Sequence, residues 1–218
     1  MKKINWRYAF GEILIVIIGI SIAFSINKCA ENSKNEFNKK QYLSNIKNDV
    51  IADRDALQEN AIALEQKIKT ADEILPKLNT DSPDKMMIVG KIFSLMDLKD
   101  FTPKDNTYQT LINSGDLQLI NDFELKTTIE KHYSYYGIMR KSYMRLENIQ
   151  KEYVGNYFIH HTDFDDFKNN RFGFKDEKLL KNIILSMKGS FDLKLKSTHQ
   201  GVQNCDELIL LLNKKMPR

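Results

Sequence analysis

Residues 41–75 read QYLSNIKNDVIADRDALQENAIALEQKIKTADEIL. Within them Leu43, Ile46, Val50, Leu57, Ala61, Leu64, Ile68, Ala71 and Leu75 recur at spacings of three and four, and Asp53 takes the one turn that lacks an apolar side chain. At 3.6 residues per turn that spacing puts the whole set on one face of an α-helix. The stretch therefore predicts a long helix with a coiled-coil-like seam, and such a seam is stable only when other helices cover it.

Toward the N-terminus no Gly or Pro lies between Ile20 and Leu75, so the helix is expected to run back unbroken into Tyr8-Ala-Phe-Gly-Glu-Ile-Leu-Ile-Val-Ile-Ile-Gly-Ile-Ser-Ile-Ala-Phe-Ser-Ile26. A spanning helix needs about 20 mostly apolar residues, and this run meets that length if Glu12 reaches back to the headgroups, where an acid costs least. Trp6 and Tyr8 supply interfacial aromatics. Gly19 with Ala23, and Ser21 with Ser25, are small residues four apart that let a second helix approach, so a homodimer through the anchor is one expectation. The rival reading is a cleavable signal peptide with Lys2, Lys3 and Arg7 as its basic region and Ala23-Phe24-Ser25 as its cleavage site. A lipoprotein signal fits poorly, because Ile26, Asn27 and Lys28 precede Cys29. Basic residues flank the run on both sides, so charge barely sets its orientation. The short leading tail favours a cytoplasmic N-terminus. The expected organisation is a tail over residues 1–7, an anchor helix over 8–27 and a periplasmic helical domain over 28–218.

Toward the C-terminus Pro76 ends or kinks the first helix, and Ser82 with Pro83 is expected to open a helix reaching about Lys99. A short helix is predicted over Thr107 to Ser114, stopped by Gly115. Asp122 can open a long helix whose seam is Leu125, Ile129, His132, Tyr136, Met139, Tyr143, Leu146, Gln150, Tyr153 and Tyr157. After a break over residues 160–175, a last helix starting near Asp176 carries Leu180, Ile184, Met187, Phe191, Val202, Cys205, Ile209 and Leu212, with Gly189 and Gly201 as expected weak points. Only 9 Gly and 4 Pro punctuate 218 residues, which favours long helices over many strands. The fold class is all-α, an N-terminal transmembrane helix running into an elongated antiparallel bundle.

The formal net charge is +4, of which Lys2, Lys3, Arg7 and Glu12 contribute +2, so the rest of the chain is only about +2 with its charges interspersed. That gives no support for nucleic acid as a partner. The 2 cysteines are too few for a disulfide framework, and Cys29 could bridge two copies. No nucleophile-elbow, metalloprotease or phosphate-loop spacing occurs, so the expectation is a protein that is not an enzyme and carries no cofactor. His160, Asp163 and Asp165 are the first residues to consider for a metal, although adjacent ligands on one loop are a poor cage. Glu12 could pair with a basic residue on a partner helix. Tyr108, Gln109, Gly115 and Asp116 form a candidate ligand or partner surface at one end of the bundle. The tyrosines from Tyr133 to Tyr157 line either a groove or the core.

Two stretches carry a resemblance. Gly11 to Asn27 followed by Glu31, and Thr107-Tyr-Gln-Thr-Leu-Ile-Asn-Ser-Gly-Asp-Leu-Gln-Leu-Ile-Asn-Asp-Phe-Glu-Leu125 followed by Tyr133 and Tyr135-Tyr136, resemble a family of small Bacteroidota membrane proteins known only as a domain of unknown function. Cys29 departs from the pattern, which usually has Trp there. The resemblance implies a single-pass inner-membrane protein with a periplasmic helical domain and implies no activity. Two readings of that domain follow: a scaffold that holds another envelope protein, or a sensor-like ligand-binding domain that needs a partner for its output. A metal-dependent enzyme is the third and weakest.

Overall fold

The computed structural model describes residues 6–97 and 100–216, with side chains from Phe10 onward. The basic residues Lys2 and Lys3, and the side chains of Trp6, Arg7 and Tyr8, lie outside the described residues.

The first helix, α1 (Trp6–Ile74), is a single element of 69 residues, about 100 Å long at 1.5 Å per residue. Its apolar section is long and apolar enough to cross a membrane, and none of it is buried against the protein. Packing begins at Tyr42 and Leu43. From there Leu43, Ile46, Val50, Asp53, Leu57, Ala61, Leu64 and Ala71 are all buried, as the seam predicts, while Ile68 and Leu75 are half-buried and Ile74 is buried in place of Leu75. Pro76 converts the end of α1 into a 3-10 turn, Leu75–Lys77.

The chain then descends through α2 (Lys85–Met96), which lays Ile88, Ile92 and Leu95 against the upper half of α1. The helix begins later than the sequence suggests. Asp84 occupies the N-cap position, and Ser82 Oγ instead accepts from the Asp84 N–H at 3.3 Å within the turn. The expected end near Lys99 lies outside the described residues. After a loop comes α3 (Asn106–Asn113), stopped by Gly115 in the left-handed conformation at φ 77°. Asp122 caps α4 (Phe123–Ile149) by accepting from the Leu125 N–H at 3.0 Å. Beyond a π turn (Gln150–Val154) lie the short α5 (Gly155–His160) and α6 (Phe164–Lys168). The last element, α7 (Glu177–Lys215), is capped by Asp176.

α7 packs against both α1 and α4 and is antiparallel to both. Against α1 the ion pairs run Lys188–Asp72, His199–Glu65 and Arg54–Asp206. Against α4, Ser142 meets Ser197, Tyr143 meets Thr198 and Lys215 meets Asp122. The bundle is therefore elongated and helical. Its core falls into one cluster nearer the apolar section of α1, around Ile46, Leu57, Leu111, Ile129 and Leu208, and a distal cluster around Ile74, Ile92, Leu146, Ile184 and Phe191. Among the described residues no strand forms, and one isolated bridge joins Thr162 to Phe174.

Gly201 does not break α7. It is buried where the helix meets α1 and α4, and a Cβ there would lie 3.2 Å from Leu57 Cδ1 and 3.3 Å from Met139 Sδ.

Candidate functional site

α4 turns tyrosines toward its neighbours, and most of their hydroxyls find partners, as buried phenols must. Tyr136 donates to Asp53 Oδ2 at 2.8 Å. The Tyr143 hydroxyl shares a hydrogen bond with Thr198 Oγ1 at 2.7 Å and accepts from Asn60 Nδ2 at 3.1 Å. Tyr135 donates to the Ser197 carbonyl at 3.1 Å. Two residues differ. The Tyr133 hydroxyl and both ring nitrogens of His132 are buried with no hydrogen-bond partner among the described residues. The Tyr133 ring lies face to face with Tyr108 of α3, centroids 4.1 Å apart and planes 8° from parallel.

The segment between α2 and α3 closes over these rings. Its position is set by Asp53 on α1, whose two carboxylate oxygens accept from the Lys104 N–H at 3.0 and 3.1 Å. Burial pushes the Asp53 pKa up, while the Lys104 amide and Tyr136 hydroxyl pull it down. Cys205 lies behind, with Sγ 3.9 Å from the Tyr136 hydroxyl. Burial drives its thiol up to about 12, which makes it inert at neutral pH. Cys29 is exposed on α1, so the two cysteines sit in separate parts of the molecule and both are free.

Between this segment and α4 runs an open groove of about 560 Å3. Phe101, Tyr108, Tyr133, Tyr136 and Tyr143 give it aromatic walls. Asp100, Asp105, Glu147 and Arg140 supply its charge, and Gln109 and Gly137 also line it. A second groove of about 710 Å3 lies between α4 and α7, with Met144, Ile149, Tyr153 and Ile183 on its apolar side and Lys141, Arg145 and Glu152 around it.

The residues singled out in the sequence fall in different places. Tyr108 and Gln109 line the aromatic groove. Gly115 and Asp116 serve the turn after α3, where Asp116 Oδ2 accepts from the Tyr42 hydroxyl of α1 at 2.8 Å. Glu12, Gly19 and Ala23 lie on the exposed apolar part of α1, far from the bundle. Ser25 donates to the Ser21 carbonyl of its own helix at 2.8 Å. Asp163 caps α6, Asp165 pairs with Lys168 at 2.8 Å, and His160 is exposed. Asp166, buried beside them, is held by Arg171 and Lys175, and the Lys175 ammonium is the main influence pulling its carboxyl below the usual carboxylate range. Among the described residues no three His, Cys, Asp or Glu side chains converge as metal ligands would.

The α4–α7 groove escapes sequence reasoning. Glu152 and Tyr153 of its lining lie in the π turn, which takes one more residue than an α turn and so shifts the seam there. Tyr153, placed in the seam by spacing, is 54% exposed beside this groove, and Val154 is buried instead.

A model of the family of unknown function DUF6090 matches residues 12–162, more than half of the chain. The chain belongs to DUF6090. No curated protein matches it, and no solved structure does. The DUF6090 match opens at Glu12 in the apolar section and takes in every residue that lines the aromatic groove, while α7 lies beyond it.

Proposed function

We propose that this DUF6090 protein is a single-pass bacterial inner-membrane protein, with its N-terminus in the cytoplasm and its bundle in the periplasm, where the bundle holds or positions another component of the envelope. On this reading it is a binding protein and not an enzyme. The observation that carries the reading is the continuity of α1. One helix contains both an exposed apolar section and the central seam of the bundle. An unburied run of isoleucines is unfavourable in water and favourable in lipid. The bundle then stands on a helical stalk. Asp53 lies 27 residues beyond Ile26, about 40 Å along the helix axis.

Two experiments test this. Affinity purification from membranes in mild detergent, comparing wild type with Glu12→Ala, should recover a partner or a second copy. A lone monomer in both samples would refute the interaction reading. Topology is best probed at Cys29, because Cys205 is buried. An impermeant thiol reagent applied after permeabilising only the outer membrane should label Cys29, and protection there with labelling in lysate would place the bundle in the cytoplasm.

The aromatic groove favours a second reading, in which the bundle is a sensor-like ligand-binding domain. α1 touches the groove through Asp53 and runs without a break into the apolar section. A ligand that moved this contact would act on the same rigid element that enters the membrane.

A further inference from the structure

We propose that the groove between α4 and the segment preceding α3 binds a small organic ammonium ion. The inference rests on the ligand-binding reading of the groove and needs no protein partner.

Charge is the first ground. Three carboxylates, Asp100, Asp105 and Glu147, line the groove against one cation, Arg140. Asp100 is engaged by Lys194 at 3.0 Å, and Asp105 accepts from the Gln109 side-chain amide at 3.2 Å. Glu147 has no ion pair among the described residues. The lining therefore keeps a negative bias that would repel a phosphate or carboxylate and attract a cation.

The aromatic walls are the second ground. Ring faces attract ammonium groups, and a partly enclosed site strengthens the attraction. The protein already uses one ring this way, since Lys194 Nζ sits 4.0 Å from the centroid of Tyr143. Tyr133, 7% exposed, belongs to the same lining, and its hydroxyl is buried with no partner among the described residues. That hydroxyl lies in the field of Asp49, Asp53 and Asp105, and burial keeps it protonated.

Gly137 is the third ground. It sits in the interior of α4, where glycine is the poorest residue apart from proline. A Cβ added there would meet nothing within 4 Å. Neither helix packing nor backbone conformation calls for glycine at this position. Its effect is to leave the groove open.

The test uses the full-length protein in detergent and isothermal titration calorimetry with choline and putrescine as probes, and the uncharged tert-butyl analogue of choline as control. At least one amine should bind, and the tert-butyl analogue should bind roughly tenfold more weakly or worse. Glu147→Gln should weaken binding, and Arg140→Gln, which removes the opposing cation, should strengthen it. Gly137→Leu fills the open space at a position that favours the helix, so it should abolish binding with no loss of thermal stability. Equal binding of the uncharged analogue would overturn the ammonium assignment and leave a ligand groove standing. No heat from either amine up to about 10 mM, a standard free energy of about −3 kcal/mol, would overturn the assignment, as would binding untouched by Gly137→Leu.

Discussion

The Asp53 carboxylate on α1 accepts a hydrogen bond from the Tyr136 hydroxyl on α4 at 2.8 Å, and the same carboxylate holds the Lys104 amide. One buried acid thus ties two parallel helices and the groove segment together. Removing it would leave a buried hydroxyl and a backbone N–H unpaired, and each such loss costs about 1–3 kcal/mol. Asp53→Ala should therefore destabilise the protein by about 2–4 kcal/mol in urea denaturation. Asp53→Asn, which can still accept through one oxygen, should lose less. If alanine and asparagine both matched wild type, the carboxylate would not be the tie.

His132 makes stability depend on pH. Burial lowers its pKa from the ordinary 6.5 to about 4, against a weaker upward pull from the Asn204 backbone on α7, so the unfolded chain takes up the proton first as the pH falls. The neutral ring's contribution is complete above about pH 6.5 and is lost progressively toward pH 4, by up to about 3 kcal/mol. Of the groups around it, Tyr133 and Tyr136 stay neutral throughout, as does the Cys205 thiol. Asp53, whose pKa is raised by burial, acts in the opposite sense, because the folded state protonates it more readily. The melting temperature by circular dichroism should drop between pH 7 and pH 4.5. His132→Phe, which keeps a ring against Tyr133 and Tyr136, should flatten that drop. An unchanged slope would assign it to other groups.

Where a helix buries one narrow face, the sequence shows it. The seam from Leu43 to Ala71 matches the buried face of α1, with Asp53 in the gap, because α7 and α2 cover a single side. On α4 the same reasoning loses phase at Tyr153, since a 3.6-residue period cannot anticipate a π turn. His132 was legible in the seam and Tyr133 among the tyrosines of core or groove; that two neighbours in sequence are both buried follows from α4 facing α3 as well as α7. Tyr108 and Gln109 were legible as a surface. Their partners Glu147, Arg140 and Gly137 were not, because the groove joins residues 100–109 to residues 133–147 and no local pattern records that meeting.

Lys194 gives a test of how a buried charge is held. It lies on α7 near the meeting of the two core clusters, with a 2% exposed side chain over Tyr143 and an ion pair to Asp100. Asp100 is 54% exposed, so losing its partner leaves a hydrated carboxylate and not an uncompensated buried charge; an apolar side chain of similar volume keeps the packing, while truncation leaves a cavity. Lys194→Met should cost less than about 1 kcal/mol and Lys194→Ala about 2–4 kcal/mol, both by chemical denaturation. Equal losses would mean that the charge, and not the volume, stabilises this part of the bundle.

Two glycines in long helices should respond with opposite signs. At Gly137 a methyl group enters open space, so Gly137→Ala gains helix propensity and should stabilise by about 0.5–1 kcal/mol. At Gly201 the same methyl presses on Leu57 and Met139 from two other helices, at 3.2 and 3.3 Å. Both neighbours are ends of flexible side chains, so Gly201→Ala should be near neutral, its propensity gain cancelled by repacking. Gly201→Leu cannot be absorbed this way and should cost about 1–3 kcal/mol. Thermal melts of the three variants distinguish close helix packing at Gly201 from a mere tolerance of glycine. A Gly201→Leu protein as stable as wild type would show that α1, α4 and α7 do not meet there.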